Sequence, residues 1–566
     1  MSGNSKYISS ALLLLISSVI VKIIGAVYKI PLTAFIGAVG RGYFASAYNI
    51  YMPVHAVIMG AFPVALSKLT SKYNAVGDTA GVAAVKKGAS RLFFKVGLLG
   101  MVGVLLMAKP YCTYIAASPK SLYTVLVIAP SILFSAMAAS YRGFYEGYMN
   151  MRPTAVSQTL EALFKMVFGL VFARVTMAYL MKQFAVSSTV LGTAVSNEKE
   201  ALSLIYPVSS AAAMLGVTFG SLISLIYVCI YDGINRQSLP RAGRNLAKKK
   251  QSELFHFSLP IMISTAVQSV FQFVDTATVQ LALSKAGEPT LKTAFADCIR
   301  LSGVQSDDLV TYVYGLFSTA LDFKNLIPGI TMALGICAVP AVSAAYELKN
   351  RERLSGLINE IYKYTVLLSV FGGIFLALCS REVLRFFYQS SSPDIPLGCE
   401  KVVHYFALTV PFYCLAGSAV FCVQAVGKAE KCITPYIVCG MIRAFGNIIL
   451  VRRGDFLLFG AVISGAAGYA VMAVWNMIIL KKYTKMKFSI RNVISKPLAI
   501  SLILYIFLEK LYDFISFSQN LLINLLIKGA ICGVVFCILC LLFKALNFRD
   551  VFCNFLSKKN PRNTCN

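Results

Sequence analysis

Apolar residues in this chain run in long stretches, not in the alternation of half-buried strands or the single stripe of a soluble helix. A helix needs roughly 20 apolar residues to cross about 30 Å of hydrocarbon. Windows of that kind lie near 8–36, 43–66, 92–108, 122–141, 154–181, 202–231, 254–282, 311–342, 361–379, 402–426, 433–450, 457–480, 492–508 and 521–543. The two least apolar are 433–450, which holds Arg443, and 492–508, which holds Lys496 and Pro497. Residues 8–21 have the length of a signal-peptide core. No A-x-A motif precedes Lys22 and the apolar pattern continues, so the window is read as a retained span. The pattern predicts an all-α polytopic membrane protein with about fourteen transmembrane helices.

Composition agrees with lipid as the solvent. Of 566 residues 57% are hydrophobic and 14% charged, against about 25% charged in soluble domains. The net charge is nevertheless +29, from 53 Lys and Arg against 24 Asp and Glu. With the N-terminus placed in the cytoplasm, the inner segments hold 32 basic and 9 acidic residues, the outer loops 14 and 12, and the spans 7 and 3. The positive-inside rule then predicts a multi-pass protein of the bacterial cytoplasmic membrane with both termini cytoplasmic. Nucleic acid is not an expected partner, because the basic residues are spread over loops and not gathered in one domain. The densest run, from Arg236 to Lys250, reads as a loop that sets topology and attracts anionic lipid.

A duplication shows in two pairs of motifs. Gly60-Ala-Phe-Pro63-Val-Ala-Leu-Ser67 ends the second window, and Cys337-Ala-Val-Pro340-Ala-Val-Ser343 ends the eighth. Glu146-Gly147 through Pro153 joins the fourth and fifth windows, and Ala425-Val-Gly427 through Pro435 joins the tenth and eleventh. These repeats predict two homologous six-helix lobes, 1–231 and 254–481. A basic linker at 232–253 joins them. A helix pair at 482–546 and a cytoplasmic tail at 547–566 follow. Repeated bundles of this kind suit transporters that move one half against the other.

On this organisation several segments resemble the multidrug/oligosaccharidyl-lipid/polysaccharide exporter superfamily. Within it the chain is similar to the stage V sporulation protein B and polysaccharide-biosynthesis branch, which is related to the lipid II flippase MurJ. The segments are Lys22-Ile-Ile-Gly25-Ala-Val-Tyr28-Lys29-Ile-Pro31 running into Gly37-Ala-Val-Gly40-Arg41, Pro63 to Leu69, Tyr141 to Gly147 with Arg152 to Glu161, and Leu326-Ile-Pro328-Gly with Val339 to Ser343. The resemblance implies two lobes in a V around a central cavity and a groove for a long lipid tail at the last two spans. It implies a flippase that carries an undecaprenyl-diphosphate-linked sugar, such as a peptidoglycan precursor, from the inner to the outer leaflet by alternating access. The implied partners are a lipid-linked oligosaccharide, membrane lipids and cell-wall synthases. No cofactor is implied beyond a coupling ion, Na+ or H+, or the membrane potential.

Ionisable residues inside spans are costly and mark functional sites by default. Ten lie in the windows away from the loops: Lys22, Lys29, Glu161, Lys165, Arg174, Asp275, Asp322, Lys324, Arg443 and Lys528. The set is net positive, which suits an anionic diphosphate. Lys22, His55 and Lys324 are the expected diphosphate contacts. His55 falls near an arginine of the MurJ pattern. Lys29 sits nearer the outer interface and Arg41 in the outer turn. Glu161 and Lys165, four apart, share one helix face and either pair internally or line the cavity. Asp322 and Lys324, two apart, cannot share a face, and Lys324 is the favoured cavity residue. Arg142, Glu146 and Arg152 lie at a cytoplasmic turn and read as a gate or a structural salt bridge. Asp275 is a lone mid-membrane carboxylate that needs a cation. The resemblance matches it with Asn447 as a possible ion site, although Val451 stands where a second carboxylate is expected.

Enzyme signatures are lacking: there is no phosphate-binding G-x-x-x-x-G-K-[ST] run and no H-E-x-x-H spacing. The 15 Cys are scattered, with no disulfide framework. The alternative functions are a drug–cation antiporter of the same superfamily, which would want an acidic cavity, and a non-transporting scaffold for envelope synthesis.

Overall fold

A computed structural model describes residues 3–235, 239–240, 243–486, 488–489, 491–514 and 520–545. The 547–566 tail and part of the basic 236–250 run lie outside the described residues. Six long helices come first: α1 (Gly3–Ala75), α2 (Thr79–Pro110), α3 (Leu122–Gly147), α4 (Arg152–Ser187), α5 (Glu198–Ile234) and α6 (Arg244–Ala286). Two short helices, α7 (Glu288–Ala294) and α8 (Ala296–Ser302), lead into α9 (Leu309–Glu347). Then come α10 (Arg351–Leu378), α11 (Ser380–Tyr388), α12 (Asp394–Ala425), α13 (Ile433–Gly446), α14 (Leu458–Thr484), α15 (Lys496–Phe514) and α16 (Leu521–Leu542). All fourteen apolar windows fall on helix. Among the described residues, eleven helical stretches are long and apolar enough to cross a membrane, and the first of these, Ile16–Ala75, takes in most of the first window and all of the second.

Helix starts follow ordinary capping chemistry. Asp78, Asn197 and Asn350 accept backbone N–H bonds from Gly81, Glu200 and Arg353 at 2.7, 2.9 and 3.0 Å, satisfying donors that have no partner within the helix. The segment 37–42, expected as an outer turn, is instead helical on both sides of a single break. Gly37 has φ 65° and ψ −177°, a conformation essentially confined to glycine.

The chain forms two compact units. One comprises Met1–Phe323, Phe387–Val402 and Ile433–Gly468; the other comprises Lys324–Phe386, Val403–Cys432 and the residues from Tyr469 onward. In the first, Leu32, Ile36, Phe44, Ile128 and Ile132 form one buried cluster. Phe62, Leu66, Phe93, Phe144 and Leu254 form another. Small residues bring the helices close, as in other membrane bundles: α3 buries Ser135, Ala136, Ala138, Ala139, Gly143 and Gly147. A neutral polar network crosses this unit. Gln280 donates to Ser46 at 2.7 Å and accepts from Tyr111 at 2.9 Å, while Asn49 donates to Tyr314 at 2.6 Å. In the second unit the core is Val366, Val370 and Ile374 of α10 against Ile500, Leu504 and Leu508 of α15 and Phe536 of α16. Large apolar side chains such as Leu99, Leu106 and Leu526 are exposed, as expected of a surface solvated by lipid.

Within each unit the paired motifs touch one another. In the first, Gly147 of α3 lies against Ser67 and Thr70 of α1. In the second, Ser343 of α9 donates its hydroxyl to the Ala425 carbonyl of α12 at 2.5 Å.

Candidate functional site

The first unit gathers most of the ionisable residues singled out in the sequence. Asp322 of α9 accepts from Lys29 at 2.6 Å and from Arg41 at 2.5 Å, both on α1. Arg41 is buried, contrary to a surface turn, because the helix continues past Gly37 and carries it against α9. Its guanidinium stands 5.3 Å from the Phe44 ring.

Phe44 begins an aromatic ladder up α1. Its ring lies 5.0 Å from Tyr48, Tyr48 lies 5.8 Å from Tyr51, and Tyr51 lies 5.0 Å from His55. Spacings of three and four residues put these rings on one face. Lys165 of α4 places its ammonium 4.9 Å from Tyr48 and 5.7 Å from Tyr28. Such contacts hold a cation without neutralising it. Three buried polar atoms around this group, Tyr28 Oη, Tyr48 Oη and Arg41 Nε, have no hydrogen-bond partner among the described residues.

Glu161 does not take Lys165 as its ion-pair partner. It pairs with Arg142 of α3 at 2.8 Å, and Arg142 also donates to Ser157 at 2.8 Å and Ser224 at 2.5 Å. Arg142 thus bridges α3, α4 and α5. Glu146 accepts from Thr154 at 2.7 Å, and Arg152 is exposed. Arg142 and Glu146 of the expected gate therefore make separate hydrogen bonds. Lys22 is exposed on α1.

Asp275 lies in a third group. The Arg443 guanidinium of α13 sits on its carboxylate. Asn447 donates to the same carboxylate at 3.0 Å and to the Asp275 carbonyl at 3.2 Å. Ser464 donates to Asn447 at 2.5 Å. Asn447 opens a π-helical turn, Asn447–Val451, the kind of local distortion that re-aims side chains at functional positions. Asp275 and Asn447 are in contact, and Arg443 supplies the counter-charge of the carboxylate. Arg443 is legible in the sequence as a membrane charge, but no local spacing joins it to Asp275.

The second unit holds Lys324 and an apolar groove. Lys324 is buried with its ammonium 4.6 Å from the Tyr413 ring, 5.3 Å from Phe406 and 5.9 Å from Tyr469. Lys528 pairs with Glu382 at 2.6 Å. The groove, about 330 Å³, is lined by side chains including Val370 and Ile374 of α10, Leu408 and Phe412 of α12, and Leu498 and Leu502 of α15. Between the spans, burial pushes the Cys298 thiol up to about 11, and Cys112, Cys298 and Cys399 are free.

Long apolar helices with buried, compensated charges define a multi-pass membrane protein. The chain belongs to the polysaccharide biosynthesis protein family, whose model matches residues 8–346. It is 24% identical over 502 residues to the lipid II flippase MurJ of Bacillus subtilis, covering 86% of this chain and 85% of that one. It is 21% identical over 556 residues to stage V sporulation protein B of the same organism, covering 96% of each. Among solved structures, MurJ in an inward closed conformation matches with a TM-score of 0.64 at 14% identity, over 96% of this chain and all of that one. An inward-facing multidrug resistance MATE family transporter of the MOP superfamily matches at 0.56 and 14%, over 81% and 95%. These structural matches establish a shared fold.

Proposed function

We propose that this protein is a flippase for an undecaprenyl-diphosphate-linked sugar, a peptidoglycan precursor or a related polysaccharide unit, carried from the inner to the outer leaflet. The observation that carries the reading is the charge balance of the α1, α3, α4 and α9 group. Four cations, Lys29, Arg41, Arg142 and Lys165, share two carboxylates, Asp322 and Glu161. Lys165 rests on aromatic rings, so a surplus of positive charge remains for phosphate. Tyr28, Tyr48 and Arg41 add buried polar atoms with no partner among the described residues, and buried polar groups ordinarily have one. These atoms suit the hydroxyls and oxygens of a glycosyl diphosphate. Similarity to MurJ and stage V sporulation protein B supports a lipid-linked substrate. The apolar groove on α10, α12 and α15 suits the polyprenyl tail. A cationic drug would want the opposite charge balance.

The two six-helix lobes, cytoplasmic termini, Lys22 and Lys324 as diphosphate contacts, and cell-wall synthases as partners belong to the same proposal. The test is rescue of cells depleted of their resident lipid II flippase, with precursor on the outer leaflet measured directly. Restored translocation that Arg41→Ala abolishes at equal expression supports the reading. Good expression without translocation of any undecaprenyl-linked glycan rejects it.

A further inference from the structure

A cleft lined by cations lies between α2 and the first turns of α6. A cleft of about 690 Å³ is bounded by Arg91 and Lys95 of α2, Arg244 and Lys248 of α6, and the side chains of Gln251 and Phe255. None of the four cations has an ion pair among the described residues. The nearby carboxylates are committed elsewhere: Glu253 accepts from Lys250 at 2.8 Å, and Asp232 from Lys86 at 2.5 Å. Like charges held in one cleft repel, and an anion between them relieves the repulsion. Backbone packing fixes their spacing, since a Cβ at Gly88 would stand 2.7 Å from the Ala247 carbonyl oxygen. Helix α6 also begins here, after a glycine that offers no capping side chain, and unpaired N–H groups of a first turn favour an anion.

We infer that this cleft binds the phosphodiester headgroup of an anionic phospholipid. The cations stand at the polar ends of the apolar windows 92–108 and 254–282, the depth at which headgroups lie. Beyond them α2 exposes Phe94, Leu98 and Leu99, and α6 exposes Phe255. A free phosphate would use the cations and leave this apolar face unused. A phospholipid satisfies both, with its acyl chains along α2.

Native mass spectrometry of the full-length protein tests this, with phosphatidylglycerol, cardiolipin and phosphatidylcholine as probes and inorganic phosphate as competitor. The anionic lipids should bind in preference to phosphatidylcholine. Affinity should fall roughly fivefold for each cation removed in the pairs Arg91→Gln/Lys95→Gln and Arg244→Gln/Lys248→Gln. Arg91→Lys/Arg244→Lys should bind as wild type and shows that the cleft tolerates substitution. Lys481→Gln/Lys482→Gln, at the end of α14, should leave binding unchanged. Equal loss in that control pair would mean diffuse attraction to basic loops and would overturn the inference. Displacement of lipid by millimolar phosphate would also overturn it, by assigning the cleft to a free anion. Loss of binding here leaves glycan translocation as a separate readout.

Discussion

Arg443 of α13 lies on the carboxylate of Asp275 of α6, 168 residues away in the chain, and Asn447 completes the contact at 3.0 Å. A carboxylate in the bilayer interior has two inexpensive states, protonated or paired, and this one is paired. Removing one partner of a buried pair costs about 3–5 kcal/mol, because the other charge is left uncompensated. Arg443→Ala should therefore lower the melting temperature of the purified protein markedly. The double variant Asp275→Asn/Arg443→Gln should recover much of the loss. Equal melting of both variants would show that the pair contributes little.

The same pair bears on coupling. A guanidinium stays charged at any physiological pH, so the Asp275 carboxylate already has its counter-charge without a bound metal ion. Replacing sodium by choline at constant ionic strength should leave both melting temperature and translocation unchanged. In Arg443→Ala the carboxylate is freed, and a sodium-dependent rise in melting temperature should appear. A wild-type protein that loses translocation without sodium would contradict this account of Asp275.

Asp322 compensates two cations at once, Lys29 at 2.6 Å and Arg41 at 2.5 Å. The two cations differ in burial: the Lys29 side chain is 41% exposed and that of Arg41 only 4%. Lys29→Gln should thus shift stability by less than about 1 kcal/mol, as exposed ion pairs do. Asp322→Asn leaves Arg41 buried without its acid and should cost about 3–5 kcal/mol. Thermal melting of the two variants side by side checks the ranking. Lys29→Gln as damaging as Asp322→Asn would mean that Lys29 anchors the triad.

The helices were readable because a run of some 20 apolar residues has few alternatives in a protein. Local spacing served less well. Gly37, Gly40 and Gly42 around Arg41 look like a loop, yet only Gly37 breaks the helix, and Gly42 serves close packing on α9. Glu161 and Lys165 have the spacing of a helical pair, but Arg142 reaches Glu161 from another helix. Arg443 as the partner of Asp275 is not legible in the sequence, since no local pattern ties α6 to α13; the resemblance matches Asp275 with Asn447 alone. Neutral residues escaped for a different reason. Gln280, Asn49 and Tyr314 carry no charge, so a search for costly charges passes over a network that crosses the first unit.

Gly315 of α9 offers a last test, because it fixes how near α9 comes to α1. A Cβ there would strike the Ala38 carbonyl oxygen, and a Cβ at Gly42 would strike the Thr311 carbonyl oxygen. Neither obstacle is a flexible side-chain end, so one helix must move. The same interface carries Lys29 and Arg41 to Asp322, and Tyr43 donates to Asp308 at 2.5 Å. Overpacking of a tight contact costs about 1–3 kcal/mol. Gly315→Ala should fall in that range and Gly315→Val should exceed it. Gly329, further along α9 with open space at its Cβ position, supplies the control, since Gly329→Ala changes the same helix without a clash. Thermal melting should rank Gly315→Val below Gly315→Ala, and both below Gly329→Ala. Translocation should fail in Gly315→Val, because separating α1 from α9 pulls Arg41 off Asp322. Normal melting and transport in Gly315→Val would show that the two helices have room to part, and that the triad does not depend on their contact.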